Sequence, residues 1–239
     1  MICLDRLDFS GNLNRIADML KDKDVSVRRR LKYVYVDLRA PITEAAAEDI
    51  GKVDYILHLA AGSHVDRSIE YPLEFVWDNV VGTVNLLEFA RKYQPDLDRF
   101  VYFSTDEVFG PAPRGVDYDE YDRYNSGNPY SAGKAGGEEF AVAYENTYKM
   151  PIVVTHTMNV FGERQNPEKF IPGVLSAVMN GDQVYYGDVK LSHYFSKNHE
   201  STVGQFLQFV VYNWNCSTTA ACYINCSITA SSAVIVIYA

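Results

Sequence analysis

The sequence has little cysteine, no excess of positive charge and no long apolar run, and each shortage removes a class of function. Its four cysteines, Cys3, Cys216, Cys222 and Cys226, show neither a Cys-x-x-Cys pair nor histidines at zinc spacing, so no metal site is expected. The net charge is −9. The one basic run, Arg28-Arg29-Arg30 with Lys32, sits beside acids, which argues for a solvated turn and against a nucleic-acid surface. No segment approaches the ~20 apolar residues of a spanning helix, and the opening has no charged-then-apolar leader. The expectation is no membrane and a cytoplasmic location. Without a leader, Asn215-Cys216-Ser217 and Asn225-Cys226-Ser227 read as chance matches to the glycosylation pattern.

What remains is an ordinary globular composition, 47% hydrophobic and 22% charged over 239 residues, enough for one sizeable domain or one and a part. Short apolar runs alternate with segments of helical spacing. Leu31–Leu38, Val53–Ala61, Arg99–Ser104 and Met150–Thr157 read as buried parallel strands. Leu13, Ile16, Ala17 and Leu20 recur at i, i+3, i+4, i+7, one face of a helix, and Asp78–Tyr93 has the same spacing. This alternation predicts an α/β fold, a Rossmann-like doubly wound parallel sheet.

Two stretches carry the chemistry. Tyr130-Ser131-Ala132-Gly133-Lys134 places a phenol and an ammonium four residues apart, on one helix face, with Pro129 suited to the helix start. A free phenol ionises near pH ~10, so a tyrosine that exchanges protons at neutral pH needs a nearby cation, which Lys134 can supply. Ser104-Thr105-Asp106-Glu107-Val108-Phe109-Gly110 adds a hydroxyl and two adjacent carboxyls where the Arg99–Ser104 strand ends. In open α/β sheets ligands gather at the carboxyl ends of strands. Either stretch alone is common, and the combination is what argues for a site.

Together, Ser-Thr-Asp-Glu-Val-Phe-Gly and Asn-Pro-Tyr-Ser-Ala-Gly-Lys resemble the extended short-chain dehydrogenase/reductases, and among them the dTDP-glucose 4,6-dehydratases. Related epimerases and decarboxylases carry a second Ser, or Ser-Glu, where this sequence has Asp106-Glu107. The resemblance implies NAD as cofactor and a nucleotide sugar as substrate, and it is compatible with a homodimer. It implies that Tyr130, assisted by Lys134 and Thr105, takes the sugar's 4-hydroxyl proton as C4 is oxidised. Glu107 then takes the proton on C5 and Asp106 protonates the departing 6-hydroxyl. That chemistry needs one carboxyl ionised and the other protonated, and neighbouring like charges disfavour ionising both.

The resemblance covers roughly residues 1–190 and extends to further positions. Asp5 ends the run Met1–Asp5 as the acid that meets the adenosine ribose. Asp37 and Leu38 stand beside the adenine, and a strand-end acid in a turn suits Asp37 as well. Leu59, Ala60 and Ala61 line the cofactor, with Tyr130 and Lys134. Ser63 and His64 face the sugar nucleotide, though a hydrogen-bonded loop histidine fits His64 equally. Asn159 reaches the diphosphate, Asn79 steadies the site, and the loop 111–128 is either a lid or plain surface. Relatives usually have Glu at Gly62, Asn at Val160, and an arginine where this chain has Leu191–Phe195.

The acid of a dinucleotide fold normally follows a Gly-rich loop by ~20 residues. No such loop occurs here, so the chain reads as lacking the first strand-loop-helix unit, with two strand edges left unpaired and NAD held poorly. The organisation expected is a Rossmann-like domain over 1–165, part of a substrate region over 166–212, and a tail over 213–239. From 201 to 239 there is not one charged residue, and three of the four cysteines fall there. The tail reads either as a terminal strand or, slightly better, as a segment not selected for this fold. Besides the dehydratase, the sequence admits another sugar-nucleotide epimerase or decarboxylase, neither of which uses an acid at C6, and an inactive remnant.

Overall fold

The computed structural model describes residues 1–8, 11–158, 160, 162, 165, 166, 169–182, 185, 186, 189, 190 and 234–237. They fall into two units, one of residues 1–111, 119–158 and 223–239, the other of 112–118 and 159–222. In the second unit, helix α8 (Phe170–Met179) is followed by the antiparallel pair β6 (Tyr185–Tyr186) and β7 (Val189–Lys190).

The first unit is built on a six-stranded parallel sheet. Its strands are β1 (Ile2–Asp5), β2 (Lys32–Tyr35), β3 (Tyr55–His58), β4 (Arg99–Thr105), β5 (Ile152–Thr157) and β8 (Val234–Ile237), in the order β2-β1-β8-β3-β4-β5. Parallel neighbours need crossovers, and these are supplied by α1 (Leu13–Leu20), α2 (Val25–Arg28), α3 (Glu44–Ile50), α4 (Val65–Glu70), α5 (Pro72–Val76), α6 (Gly82–Tyr93) and α7 (Pro129–Tyr148). The chain runs outward from β1 to β2, then turns back and runs the other way through β3, β4 and β5. With crossovers of one hand, that reversal places the connecting helices on opposite faces, which is what doubly wound means.

The strand that sits at the reversal is β8, in parallel register with both neighbours: Ile2 pairs with Ile235, and Tyr55 with Val234. This corrects the expectation of two unpaired edges. A sheet split there would expose a row of backbone donors and acceptors on both β1 and β3, and an apolar, β-branched run is suited to pairing with them. The reading of the tail as foreign to the fold is corrected for these four residues.

Asn12 caps α1 through its side chain, and the helix spans Leu13–Leu20 as the spacing predicts. Three of the four expected strands are shorter than expected, and Arg99–Ser104 is extended by one residue. The paired register stops at Tyr35 and His58, with a last bond from the Val36 N–H to Asp5, while Leu38 and the half-buried Leu59–Ala61 continue the apolar run beyond the ladder. Apolar pattern reports burial, and burial outlasts pairing here. Arg99–Thr105 is an interior strand between β3 and β5. The segment expected to be one helix from Asp78 begins with a π turn, Trp77–Val81, and becomes α-helical at Gly82. The core joins Leu4, Ile56 and Phe100 of the sheet to Leu86, Leu87 and Ala141 of α6 and α7, each fully buried. Each large side chain of that set contributes about 1.5–3 kcal/mol.

Candidate active site

Because all six strands are parallel, their carboxyl ends share one edge of the sheet. Asp5 closes β1, Asp37 and Leu38 follow β2, Leu59–Ala61 follow β3, and Thr105 closes β4. The residues expected to hold a cofactor and those expected to move protons therefore come to the same edge.

At that edge β4 turns into a single 3₁₀ turn, Asp106–Phe109, and Thr105 caps it by accepting the Glu107 N–H at 3.3 Å. The turn so capped carries two adjacent carboxyls. Asp106 Oδ1 stands 3.3 Å from the Thr105 hydroxyl, and Glu107 Oε2 accepts from Asn128 Nδ2 at 3.2 Å. Asn128 has a second task. Its Oδ1 accepts the Ser131 N–H at 2.8 Å while Ser131 returns a bond to the Asn128 backbone, a reciprocal cap that starts α7 with Pro129 in its first turn. One residue thus fixes both Glu107 and the helix that carries Tyr130. Asn128 was not singled out from the sequence, although its place directly before Pro-Tyr was a readable sign of a cap.

Tyr130 is half-buried, with Thr105 beside its phenol. Burial pushes its phenol up to about 12, the Thr105 side chain opposes this, and the charges of Glu107 and Asp106 add to the rise. Thr105 has one hydroxyl proton to give, with Tyr130 and Asp106 both in reach. The site's four oxygen-bearing residues are therefore in electrostatic contact, as the two motifs imply.

Lys134 is placed differently from the expectation. It is only 3% exposed, and its Nζ lies 4.3 Å from the Tyr102 ring centroid, over a π face that attracts a cation. No described contact joins it to the Tyr130 hydroxyl. Burial brings its ammonium down to about 7, with the charge of Glu138 resisting. In this arrangement Thr105 is the hydroxyl beside the phenol, and Lys134 stands one helical turn behind it.

Asp5 Oδ1 accepts the Leu7 N–H at 2.7 Å, and Leu7 holds the left-handed backbone conformation, φ 53°, that this tight turn requires. Burial raises the Asp5 carboxyl above its usual range. Next to it, Arg6 is held by Asp8 and by Asp78, and Arg39 also bonds Asp78 at 2.7 Å. Although burial raises the Asp78 carboxyl, these two guanidinium groups bring it below the ordinary value. Asp37 is turned to its own Arg39 N–H at 2.9 Å, and the Leu38 carbonyl accepts from Asn85. His64 caps α4 by accepting the Arg67 N–H through Nδ1 at 3.4 Å, which makes it a loop histidine with a structural task, and Ser63 beside it is exposed. Asn79 is 1% exposed and bonds the backbone of Gly62. Asn159 and the segment Leu191–Phe195 lie outside the described residues. Among the described residues no group of three or more His, Cys, Asp or Glu could hold a metal, and no helix is long and apolar enough to cross a membrane.

Comparison with known proteins adds a second line. A family model described as GDP-mannose 4,6 dehydratase matches residues 1–204. The dTDP-D-glucose 4,6-dehydratase of Dictyostelium discoideum is 35% identical over 193 residues, which is 75% of this chain and 42% of that protein. The dTDP-glucose 4,6-dehydratase of Escherichia coli is 36% identical over 197 residues, 76% of this chain and 53% of that one. Among solved structures, DesIV, a dTDP-glucose 4,6-dehydratase of Streptomyces venezuelae with NAD and TYD bound, superposes with a TM-score of 0.68 at 37% identity, covering 78% of this chain and 55% of that chain. The chain spans about half the length of the curated relatives it matches.

Proposed function

The chain belongs to the sugar-nucleotide 4,6-dehydratase family, and from that premise we propose that it carries the cofactor side and the proton-transfer groups of an NAD-dependent dehydratase that converts dTDP-glucose to its 4-keto-6-deoxy form. The observation that carries this reading is the meeting of Thr105, Asp106, Glu107 and Tyr130 at the carboxyl edge of one parallel sheet. The choice of dTDP-glucose follows the relatives, since the family model's own description mentions GDP-mannose.

The residues fit NAD in part. The acid Asp5, with Asp37, Leu38 and Leu59–Ala61, follows the strand ends where a dinucleotide would lie. A Gly-rich phosphate cradle is not among the described residues. NAD, when bound, accepts a hydride from the sugar and later returns it. The protein's own part is proton movement. Tyr130, sharing the Thr105 hydroxyl, receives the 4-hydroxyl proton. Once C4 is a ketone its neighbouring C–H is acidic, and Glu107, oriented by Asn128, removes that proton. Asp106 gives a proton to the leaving 6-hydroxyl, so water departs. Acid and base groups of this kind contribute factors of ~10²–10⁴ each.

Ser63, His64 and Asn159 are assigned to the sugar nucleotide by the same reading, and Lys134 to the support of Tyr130. A cytoplasmic site of action and a homodimer complete it, to be read by fractionation and by sedimentation. The deciding experiment incubates the protein with NAD and dTDP-glucose and follows the 4-keto-6-deoxy sugar by mass spectrometry. Product that requires all of Tyr130, Asp106 and Glu107 supports the proposal, and product formed at wild-type rate by Asp106→Asn and Glu107→Gln overturns it.

A further inference from the structure

Tyr130, Lys134 and Glu138 recur every four residues along α7 and stack as one stripe, yet only the first two belong to the motif. Glu138 is 2% exposed, and acids are seldom buried that far without partners. It has three, from three other segments. Ser104, next to Thr105 at the end of β4, donates to Oε2, the Tyr124 hydroxyl donates to Oε1, and His156 Nε2 in β5 lies 2.9 Å from Oε1. Phe109 packs its ring on both Tyr124 and His156, with centroids 5.3 and 4.8 Å away.

Lys134 lacks such a set. Among the described residues its ammonium has the Tyr102 ring and no hydrogen-bonded carboxylate. The groups around it can be named element by element. On β3, His58 is kept neutral by burial, down to about 3, its Nε2 2.9 Å from Thr83 of α6. On β4, the Tyr102 hydroxyl donates to the Lys134 carbonyl at 2.9 Å. Glu88 of α6 is engaged by Arg91, Lys92 and Tyr144. In the π turn Asp78 is bound to Arg6 and Arg39, and in the 3₁₀ turn Asp106 and Glu107 act on Tyr130. On α4 and α5, Asp66, Glu70 and Glu74 are exposed and Arg67 half-exposed. On β5, His156 is engaged with Glu138. The carboxylate whose charge reaches Lys134 is Glu138.

We propose that Glu138 is a positioning residue, a carboxylate fixed by Ser104, Tyr124 and His156 that keeps the buried Lys134 ammonium charged and so sets the upper pH at which the Tyr130 site works. The inference rests on the reading of Tyr130 and Lys134 given under the proposed function. Its physical basis is that hydrogen bonds to the ionised form hold a buried carboxyl ionised, and an ionised carboxylate one turn away favours a protonated amine. The direction at Glu138 agrees: burial raises its carboxyl, but the bonds from His156, Ser104 and Tyr124 bring it below the ordinary value.

The test is a pH titration of Lys134 by NMR on protein labelled at the lysine ε-carbon, the resonance assigned by its loss in Lys134→Met. Glu138→Gln should lower the midpoint by about one pH unit or more, a tenfold change in charged fraction, and Glu138→Asp should give an intermediate value. Should Glu138→Gln fail to fold, as read by circular dichroism, Glu138→Asp alone must lower the midpoint. A midpoint unchanged in the folded variant overturns the proposal. The alkaline limb of the turnover profile should move by the same amount as the midpoint, and a limb that stays in place overturns the assigned control of working pH. Wild-type protein that forms no 4-keto sugar would instead refute the proposed function, while the NMR midpoint still decides the role of Glu138.

Discussion

Asn79 clasps Gly62 by both ends of its amide: Oδ1 accepts the Gly62 N–H at 2.7 Å and Nδ2 donates to the Gly62 carbonyl at 3.1 Å. The π turn that carries Asn79 is thereby tied to the loop leaving β3, where Ser63 and His64 stand. Asn79→Ala leaves two part-buried backbone groups of Gly62 without these bonds, and each such loss costs ~1 kcal/mol. The expected result is a lower urea midpoint with an unchanged slope. A midpoint equal to that of the wild type would show that water replaces the clasp freely.

Gly137 sits where α7 crosses the π turn. A Cβ there would strike the Asn79 carbonyl oxygen and stand 2.6 Å from the Tyr102 hydroxyl. In an open helix, glycine to alanine gains roughly 0.5–1 kcal/mol. Here overpacking against backbone costs about 1–3 kcal/mol, so the clash wins. Gly137→Ala should be destabilised in thermal unfolding, and a stabilised variant would contradict the close approach.

Stability should also depend on pH through Lys134. Its amine is lowered by burial to about 7 in the folded protein, against the ordinary 10.5 in the unfolded chain. Between those values the unfolded chain binds more protons, so stability from this group rises as pH increases across that window and is forfeited as pH falls to 7. Lys134→Met removes the effect. Urea unfolding at several pH values from 7 upward should show the wild type gaining on the variant as pH rises, and parallel curves would refute the burial effect.

The two carboxyls separate into distinct tasks. In protein active on dTDP-glucose, Glu107→Gln should keep sugar-nucleotide binding and lose the 4-keto-6-deoxy product. Asp106→Asn should lose elimination while oxidation at C4 stays observable as reduced cofactor. Losses of ~10²–10⁴ are expected from each change. Turnover of dTDP-glucose at the wild-type rate by both Asp106→Asn and Glu107→Gln would show that the assignment of roles is wrong.

Local signals in the sequence were reliable where one segment decides its own conformation. The i, i+3, i+4, i+7 pattern from Leu13 to Leu20 gives α1 to the residue, and Pro129 directly before Tyr130 gives the start of α7. They fail where partners are distant. The π turn at Trp77–Val81 has the same apolar spacing as the helix it enters, so periodicity cannot separate them. Glu138 belongs to no motif, and its partners lie 14 to 34 positions away, so only the folded chain shows that it is buried and held. Lys134 is legible as a residue of the site but not as one whose ammonium rests on Tyr102, since that ring reaches helix α7 from strand β4.

The strand at the reversal of the sheet also dictates an order of events. Residue 235 pairs with residue 2 and residue 56, so β1 and β3 become one sheet only through a partner from the far end of the sequence. Contacts at such separation carry a large loop-closure entropy and fold slowly. Until residues 234–237 pair, the half built on β1 and β2 and the half built on β3, β4 and β5 keep their facing edges open. The vulnerable interval is the one before that strand closes the gap, when two unpaired edges are templates for pairing with another chain.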